Sequence, residues 1–183
     1  MITEAEETMD DAVERLQAAK RPVTPLAGWY GHPLHPVLVT VPIGAWVASL
    51  VFDLASHVVA EPQFLADGSR WLIGLGVIGA VAAAMVGFLD FLAIPGGTKA
   101  FRIALVHMSL NLAVTAAFAL GFVLRAEPDA PVPPGLIVLS GLSLVALTVA
   151  GYLGGALAYR YGVRVADEAT QASGYRTTTT PDP

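Results

Sequence analysis

The side chains with the clearest chemical potential are four histidines, in a chain that contains no cysteine. His32 and His35 lie in the sequence GHPLHP, directly before a long apolar stretch. His107 lies within a later apolar stretch, and His57 follows Asp53 by four residues. The lack of cysteine excludes disulfides, thiolate nucleophiles and iron–sulfur clusters. Imidazole chemistry remains, which means haem or metal ligation, proton transfer, or hydrogen bonding inside a packed core.

The composition indicates a membrane protein. Of the 183 residues, 55% are hydrophobic and 14% are charged, whereas about 25% of residues are charged in a typical soluble domain. The mean hydropathy is +0.62. The net charge is −5 and the ten basic residues are dispersed, so nucleic-acid binding has no electrostatic basis.

Four apolar stretches must position the histidines: Val37–Ala60, Trp71–Ile94, Ile103–Leu124 and Gly135–Ala158. Each is long enough to cross a hydrocarbon core of about 30 Å as a helix. The links between them are short and rich in proline and glycine, so successive helices should be antiparallel. The sequence therefore predicts an all-α, integral membrane, up-down-up-down four-helix bundle over residues 28–165. A short amphipathic helix, about Glu4–Ala19, lies in the predicted N-terminal segment 1–27, and residues 166–183 form a predicted flexible polar tail.

The distribution of lysine and arginine predicts the orientation. Eight basic residues fall on the side that holds both termini and the middle loop, against only Arg70 and Arg125 on the other. By the positive-inside rule, both termini should be cytoplasmic.

Small residues predict how the helices pack, because close approach drives helix association in lipid. One stripe on the second span ends in a carboxylate; its members are Gly76, Ala80, Ala83, Gly87 and Asp90. Gly151 and Gly155 form a GxxxG pattern on the fourth span. That pattern could serve packing within the chain or a homodimer. Pro42 predicts a kink in the first span, because it leaves the carbonyl of Leu38 without its helical donor.

Asp53 and His57 are predicted near the non-cytoplasmic interface, on one face of the first span. The plainer interpretation is an interfacial carboxylate that is solvated or hydrogen-bonded to His57. The alternative is the entry of a proton or ion pathway, because acidic groups within spans often mark such paths.

All four spans bring a polar residue to the cytoplasmic leaflet: His35, Asp90, His107 and Arg160. Pro33 and Pro36 disfavour helical geometry for the histidines before them. In an extended lead-in His32 would lie about 9 Å from His35, too far for both to bind one ion. Asn111 continues the polar face of His107.

Three interpretations of this group stay open. His35 and His107 could bind haem b or another redox centre between helices. Alternatively the group is a structural cluster in which Asp90 pairs with Arg102 or Arg160. Proton transfer is a third possibility.

Three sequence segments resemble the bacterial membrane proteins known as domain of unknown function 2231: GHPLHPVLVTVPIGAW, IPGGTKAFRIALVHMSLNL and GGALAYRYGVRV. The resemblance covers about residues 28–165 and implies a four-helix protein of the bacterial inner membrane with no established activity. Some relatives are joined to Rieske or c-type cytochrome domains, which implies redox chemistry with a separate redox protein as partner here. The family boxes fall on His32, Pro33, His35, Pro36, Pro42, His107, Gly154, Gly155, Tyr159, Arg160, Gly162 and Val163.

Enzymatic activity is not predicted. The chain has no nucleophile–base pair at a recognisable spacing, no phosphate-binding loop and no HExxH motif. The leading hypothesis is a small redox-associated subunit with His35 and His107 as haem ligands, supported by His32, Asp90, Asn111 and Arg160. The alternative is a non-catalytic scaffold, and a weaker one is a proton or ion path through Asp53 and His57.

Overall fold

A computed structural model describes residues 9–127 and 130–176. Its helices are α1 (Met9–Lys20), α2 (His35–Leu38), α3 (Thr40–Ala55), α4 (Gln63–Leu92), α5 (Lys99–Leu124), α6 (Pro134–Gly155) and α7 (Glu168–Ser173). A 3₁₀ turn (Pro25–Ala27) precedes a hairpin of β1 (Gly28–Trp29) and β2 (His32–Pro33), and a π-helical turn (Ala156–Arg160) extends α6. Residues 4–8 of the predicted N-terminal helix and residues 177–183 of the predicted tail lie outside the described residues.

The four long helices form a closed ring of contacts, in which α3 packs on α4, α4 on α5, α5 on α6, and α6 on α3. Parallel helices α3 and α5 therefore occupy opposite corners. Four helical segments are long and apolar enough to cross a membrane: His35–Ala55, Gln63–Leu92, Lys99–Leu124 and Pro134–Arg160. The predicted all-α membrane four-helix bundle is confirmed. We call the end with α1, the hairpin and α7 the terminal end, and the opposite end the distal end.

Two helix boundaries at the distal end differ from the predicted ones. The first span ends at Ala55 and not at Ala60, because the chain turns over residues 56–62. The next helix begins at Gln63, eight residues before the predicted Trp71, directly after Pro62. A bond from the Gln63 amide to the Asp67 carboxylate, 3.2 Å long and four residues apart, supports this polar first turn.

The prediction that His35 lies in an extended lead-in is wrong. The hairpin holds His32 in extended geometry, but His35 is the first residue of α2. Pro36 fits beside it because the first helical turn needs no N–H donor. The helix is interrupted at Val39, between α2 and α3, close to the carbonyl of Leu38 that Pro42 leaves without a donor.

The centre of the bundle is an aromatic stack between opposite corners. The rings of Trp46 and Phe118 lie 4.2 Å apart and nearly parallel. The Trp46 indole is 1% exposed and donates to the carbonyl of Ile73 at 3.3 Å. A Cβ on Gly76 would overlap the indole nitrogen, so the glycine leaves the space that the indole fills.

The two predicted small-residue patterns behave differently. The second-span stripe lies against the first span, since Gly76 meets Trp46 and Gly87 meets His35. A Cβ on Gly151 or Gly155, in contrast, would meet no atom within 4 Å. The GxxxG pattern therefore makes no close packing contact within the described part of the chain.

We predict that Gly76→Ala lowers the stability of the bundle by about 1–3 kcal/mol, because the added methyl overlaps the Trp46 indole. Gly151→Ala is the matched control, with open space for its methyl. Thermal unfolding of both variants in the same mild detergent measures the difference. Equal unfolding temperatures for Gly76→Ala and Gly151→Ala would contradict the close packing of Trp46 on Gly76.

Candidate functional site

The structure brings His35 and His107 together across the bundle, near the terminal end. Their ring centroids are 6.4 Å apart, and their planes are inclined at 82°. His35 comes from the first span and His107 from the third, so the imidazoles meet from opposite corners of the ring of helices. Both side chains are half-buried.

Each imidazole is held by the next span along the chain: His35 by α4 and His107 by α6. The His35 Nδ1 lies 2.9 Å from the carbonyl oxygen of Ala83, and the His107 Nδ1 lies 2.8 Å from that of Ala150. Each ring also rests on a glycine: a Cβ on Gly87 would lie 2.8 Å from His35, and a Cβ on Gly154 3.0 Å from His107. Hydrogen bonding and steric contact together fix the orientation of both rings.

These hydrogen bonds determine the tautomer. A carbonyl oxygen only accepts, so Nδ1 of each ring must carry the proton and donate it. In a neutral imidazole the lone pair is then on Nε2. Metal-binding histidines commonly show this arrangement, with the second ring nitrogen donating to a carbonyl. The amide nitrogen of Asn111 lies 3.3 Å from the His107 Nε2 and donates to the His107 carbonyl at 2.8 Å.

The carboxylate of Asp90 pairs with Arg164, so its predicted pairing with Arg102 or Arg160 is wrong. The Arg164 Nε donates to the Asp90 Oδ1 at 2.6 Å. Arg160 is exposed, with its guanidinium 5.8 Å from the ring centre of Tyr161. The reason lies in the backbone: the chain turns back over residues 161–164 after the π-helical turn and brings the later arginine under the bundle.

Arg164 also anchors the segments that cover the terminal end. Its Nη2 donates to the carbonyls of Ala27 and Gly28 at 3.0 and 3.2 Å, and its backbone N–H donates to Ala19 at 3.0 Å. Its φ of 60° is unusual for a residue other than glycine. The strained backbone is stabilised by these contacts at a buried position.

A second contact joins the C-terminal segment to the hairpin. The hydroxyl of Tyr30 donates to the Asp167 carboxylate at 2.9 Å and accepts from the Asp167 backbone N–H at 2.7 Å. The backbone N–H of Thr170 and the Tyr30 hydroxyl both bond to this carboxylate and lower the pKa of Asp167. Asp167 thereby caps α7 and keeps its charge there.

The structure does not bring His32 into the histidine pair. Its side chain is exposed in β2, where Nδ1 lies 3.4 Å from the carbonyl of Tyr30.

A buried ion pair occupies the distal end, and the predicted hydrogen bond between Asp53 and His57 is wrong. The Arg125 Nη2 donates to the Asp53 Oδ2 at 2.7 Å, and the side chains are 2% and 0% exposed. Ser69 donates to the same carboxylate, and Arg125 also contacts the Ser140 hydroxyl at 3.3 Å. These contacts join all four long helices. His57 Nε2 instead bonds to the carbonyl of Val132 at 2.8 Å.

Sequence reasoning missed both buried arginines. Arg125 and Arg164 each follow a long apolar stretch, where a basic residue usually marks the water side of a span. The available signal was the buried acids: a carboxylate inside a span requires a partner, and only ten basic residues exist to supply one.

The donor set fits a haem iron better than an ion bound by protein alone. Across residues 9–127 and 130–176, no group of three or more His, Asp or Glu side chains could hold a metal ion. A haem iron needs only axial ligands from the protein. His35 and His107, whose ring centres lie 6.4 Å apart, would be the two residues that hold such an iron.

A bundle of four apolar helices with paired charges inside defines a multi-pass integral membrane protein. The family model described as a predicted membrane protein (DUF2231) matches residues 31–167, and the chain belongs to that family. No curated protein and no solved structure matches the chain.

We predict that Asp53→Ala lowers the stability by about 3–5 kcal/mol, because it leaves the Arg125 guanidinium buried without a counter-charge. The double variant Asp53→Leu/Arg125→Met should recover most of the loss. Glu61→Gln, at an exposed distal residue, is the control. Thermal unfolding in detergent measures all three, and a loss for Asp53→Ala no larger than that of the control would refute the assignment.

Proposed function

We propose that this protein is a small redox-associated membrane subunit that binds haem b through His35 and His107. The observation that carries the proposal is the pair of imidazoles at 6.4 Å, each with Nδ1 committed to a backbone carbonyl. Haem b, when bound, would supply reversible one-electron chemistry.

The chain's own residues would do three things in this proposal. The carbonyls of Ala83 and Ala150 keep the protons on Nδ1, so that a lone pair lies on each Nε2. The Asn111 amide lies 3.3 Å from the His107 Nε2 and would have to turn away when that nitrogen binds iron. Gly87 and Gly154 let the rings approach the backbones of α4 and α6. The paired charges of Asp90 and Arg164, next to the site, hold the covering hairpin in place.

A structural scaffold is the second candidate, and the same hydrogen bonds favour it. An imidazole that donates to a carbonyl on the adjacent helix stabilises helix packing without any ligand. The buried pairs Asp53–Arg125 and Asp90–Arg164 have this structural effect at both ends. In this alternative the histidines contribute to stability alone.

The ion pathway has less support. It was predicted because Asp53 is an acidic residue within a span, but this carboxylate is paired with Arg125, and His57 bonds to the Val132 carbonyl.

We predict a haem b spectrum for the protein purified in mild detergent from iron-replete cells. His35→Ala and His107→Ala should each reduce bound haem severalfold, because each removes one of two axial ligands. His57→Ala, at the distal end, is the matched control and should keep the full spectrum.

A colourless preparation that stays colourless after addition of hemin would overturn the haem proposal. The scaffold would then be favoured if His35→Ala and His107→Ala lower the unfolding temperature while no preparation contains haem, iron or zinc.

The proposal includes a bacterial inner-membrane location with both termini in the cytoplasm. The absence of native cysteine allows a direct test with Glu61→Cys at the distal end and Ala172→Cys on α7, both exposed positions. In spheroplasts an impermeant maleimide should label position 61, and position 172 only after lysis. The reverse pattern would show the opposite orientation.

A further inference from the structure

The first and third spans bury equivalent positions. Residues 35 and 107 are 72 positions apart, and the same interval relates four of the five buried residues of α3 to buried residues of α5 or its C-cap. These buried pairs are Pro42 and Val114, Trp46 and Phe118, Ser49 and Gly121, and Asp53 and Arg125. The side chains differ in chemistry, but their places in the bundle correspond.

The second and fourth spans repeat in the same manner at an interval of 67 positions. The corresponding pairs are Ile73 and Ser140, Gly76 and Ser143, Ala83 and Ala150, and Gly87 and Gly154. Two of these pairs form the seats of the histidines: Ala83 and Ala150 accept the Nδ1 protons, and Gly87 and Gly154 lie against the rings.

Corresponding residues of the two halves also touch each other. His35 meets His107, Trp46 stacks on Phe118, and Asp53 pairs with Arg125. A residue on a two-fold axis contacts its own symmetry mate. These three contacts therefore mark an approximate two-fold axis that runs along the bundle, an arrangement found in membrane proteins with parallel internal repeats.

We infer that the chain consists of two equivalent helical hairpins. A haem iron bound on their shared axis would keep both imidazoles as ligands and would not bind an external ligand; we call this a closed two-imidazole site. This inference rests on the proposed haem function. It specifies that function as electron transfer, as opposed to binding or activation of a small molecule such as O₂ or CO.

The argument for a closed site is that each helical hairpin holds its own histidine by the same kind of contact. Each imidazole has its own carbonyl and its own glycine, so both halves hold their ligand by the same two backbone contacts. Both histidines belong to candidate spans, with His107 inside α5 and His35 at the start of α2. Whether haem binds external ligands or only transfers electrons depends on its ligands and surroundings, and here His35 and His107, held by corresponding groups of the two halves, would both serve as ligands.

The test uses the full-length protein in detergent, reduced with dithionite and exposed to CO. We expect the visible spectrum of the reduced haem to remain unchanged under CO. We also expect the oxidised protein to give a low-spin EPR signal with a large principal g value, because ligand planes inclined at the observed 82° would produce one. His107→Ala and His35→Ala, reconstituted with hemin, are the positive controls, because each variant lacks one of the two ligands. We expect CO to shift the visible spectrum of the reduced haem by the same amount in both variants.

The outcomes separate the two proposals. A protein without haem refutes the proposed function. A haem protein whose reduced form shifts fully under CO, or whose oxidised form is high-spin, keeps that function and overturns the closed site. A haem protein in which only one single variant gains CO binding overturns the equivalence of the two halves.

Discussion

Hydrocarbon provides no hydrogen-bonding partner, and this constraint determines the arrangement of the polar residues in the bundle. The Asp53 carboxylate is held by Arg125 and Ser69, and the two imidazoles are held by carbonyls of adjacent helices. Each contact joins different spans, so it fixes the position of one helix relative to the other along the bundle axis. Apolar packing alone would tolerate sliding, because the lipid is as apolar as the side chains.

The positions of the four spans could be predicted from the sequence, but the pairing of the charged side chains could not. Apolar length is a local property, so four spans and the small-residue face of Gly76 and Gly87 were predictable. The pairing of Asp90 with Arg164 depends on a backbone reversal that brings in a residue 74 positions later, after a π-helical turn. The approach of His35 to His107 was predicted, whereas the helical geometry of His35 was not, because the bias imposed by Pro36 is weaker than the fit of proline in a first turn.

The approximate two-fold repeat escapes sequence comparison because it conserves position and not residue type. Asp53 corresponds to Arg125, and Gly76 to Ser143. Opposite charges at corresponding places stabilise the pair across the axis, whereas two identical charges would repel. The repeat is therefore retained where both halves need the same group, at the histidines and their seats.

Arg164 has a consequence for how the protein is made. The carbonyls of Ala19, Ala27 and Gly28 belong to the part of the chain that a ribosome synthesises first, yet each accepts a hydrogen bond from Arg164, which emerges after the fourth span. The N-terminal segment therefore lacks its hydrogen bonds to Arg164 until the fourth span and residue 164 have been synthesised. These contacts therefore require residue 164, and a nascent chain that stops before it cannot form them.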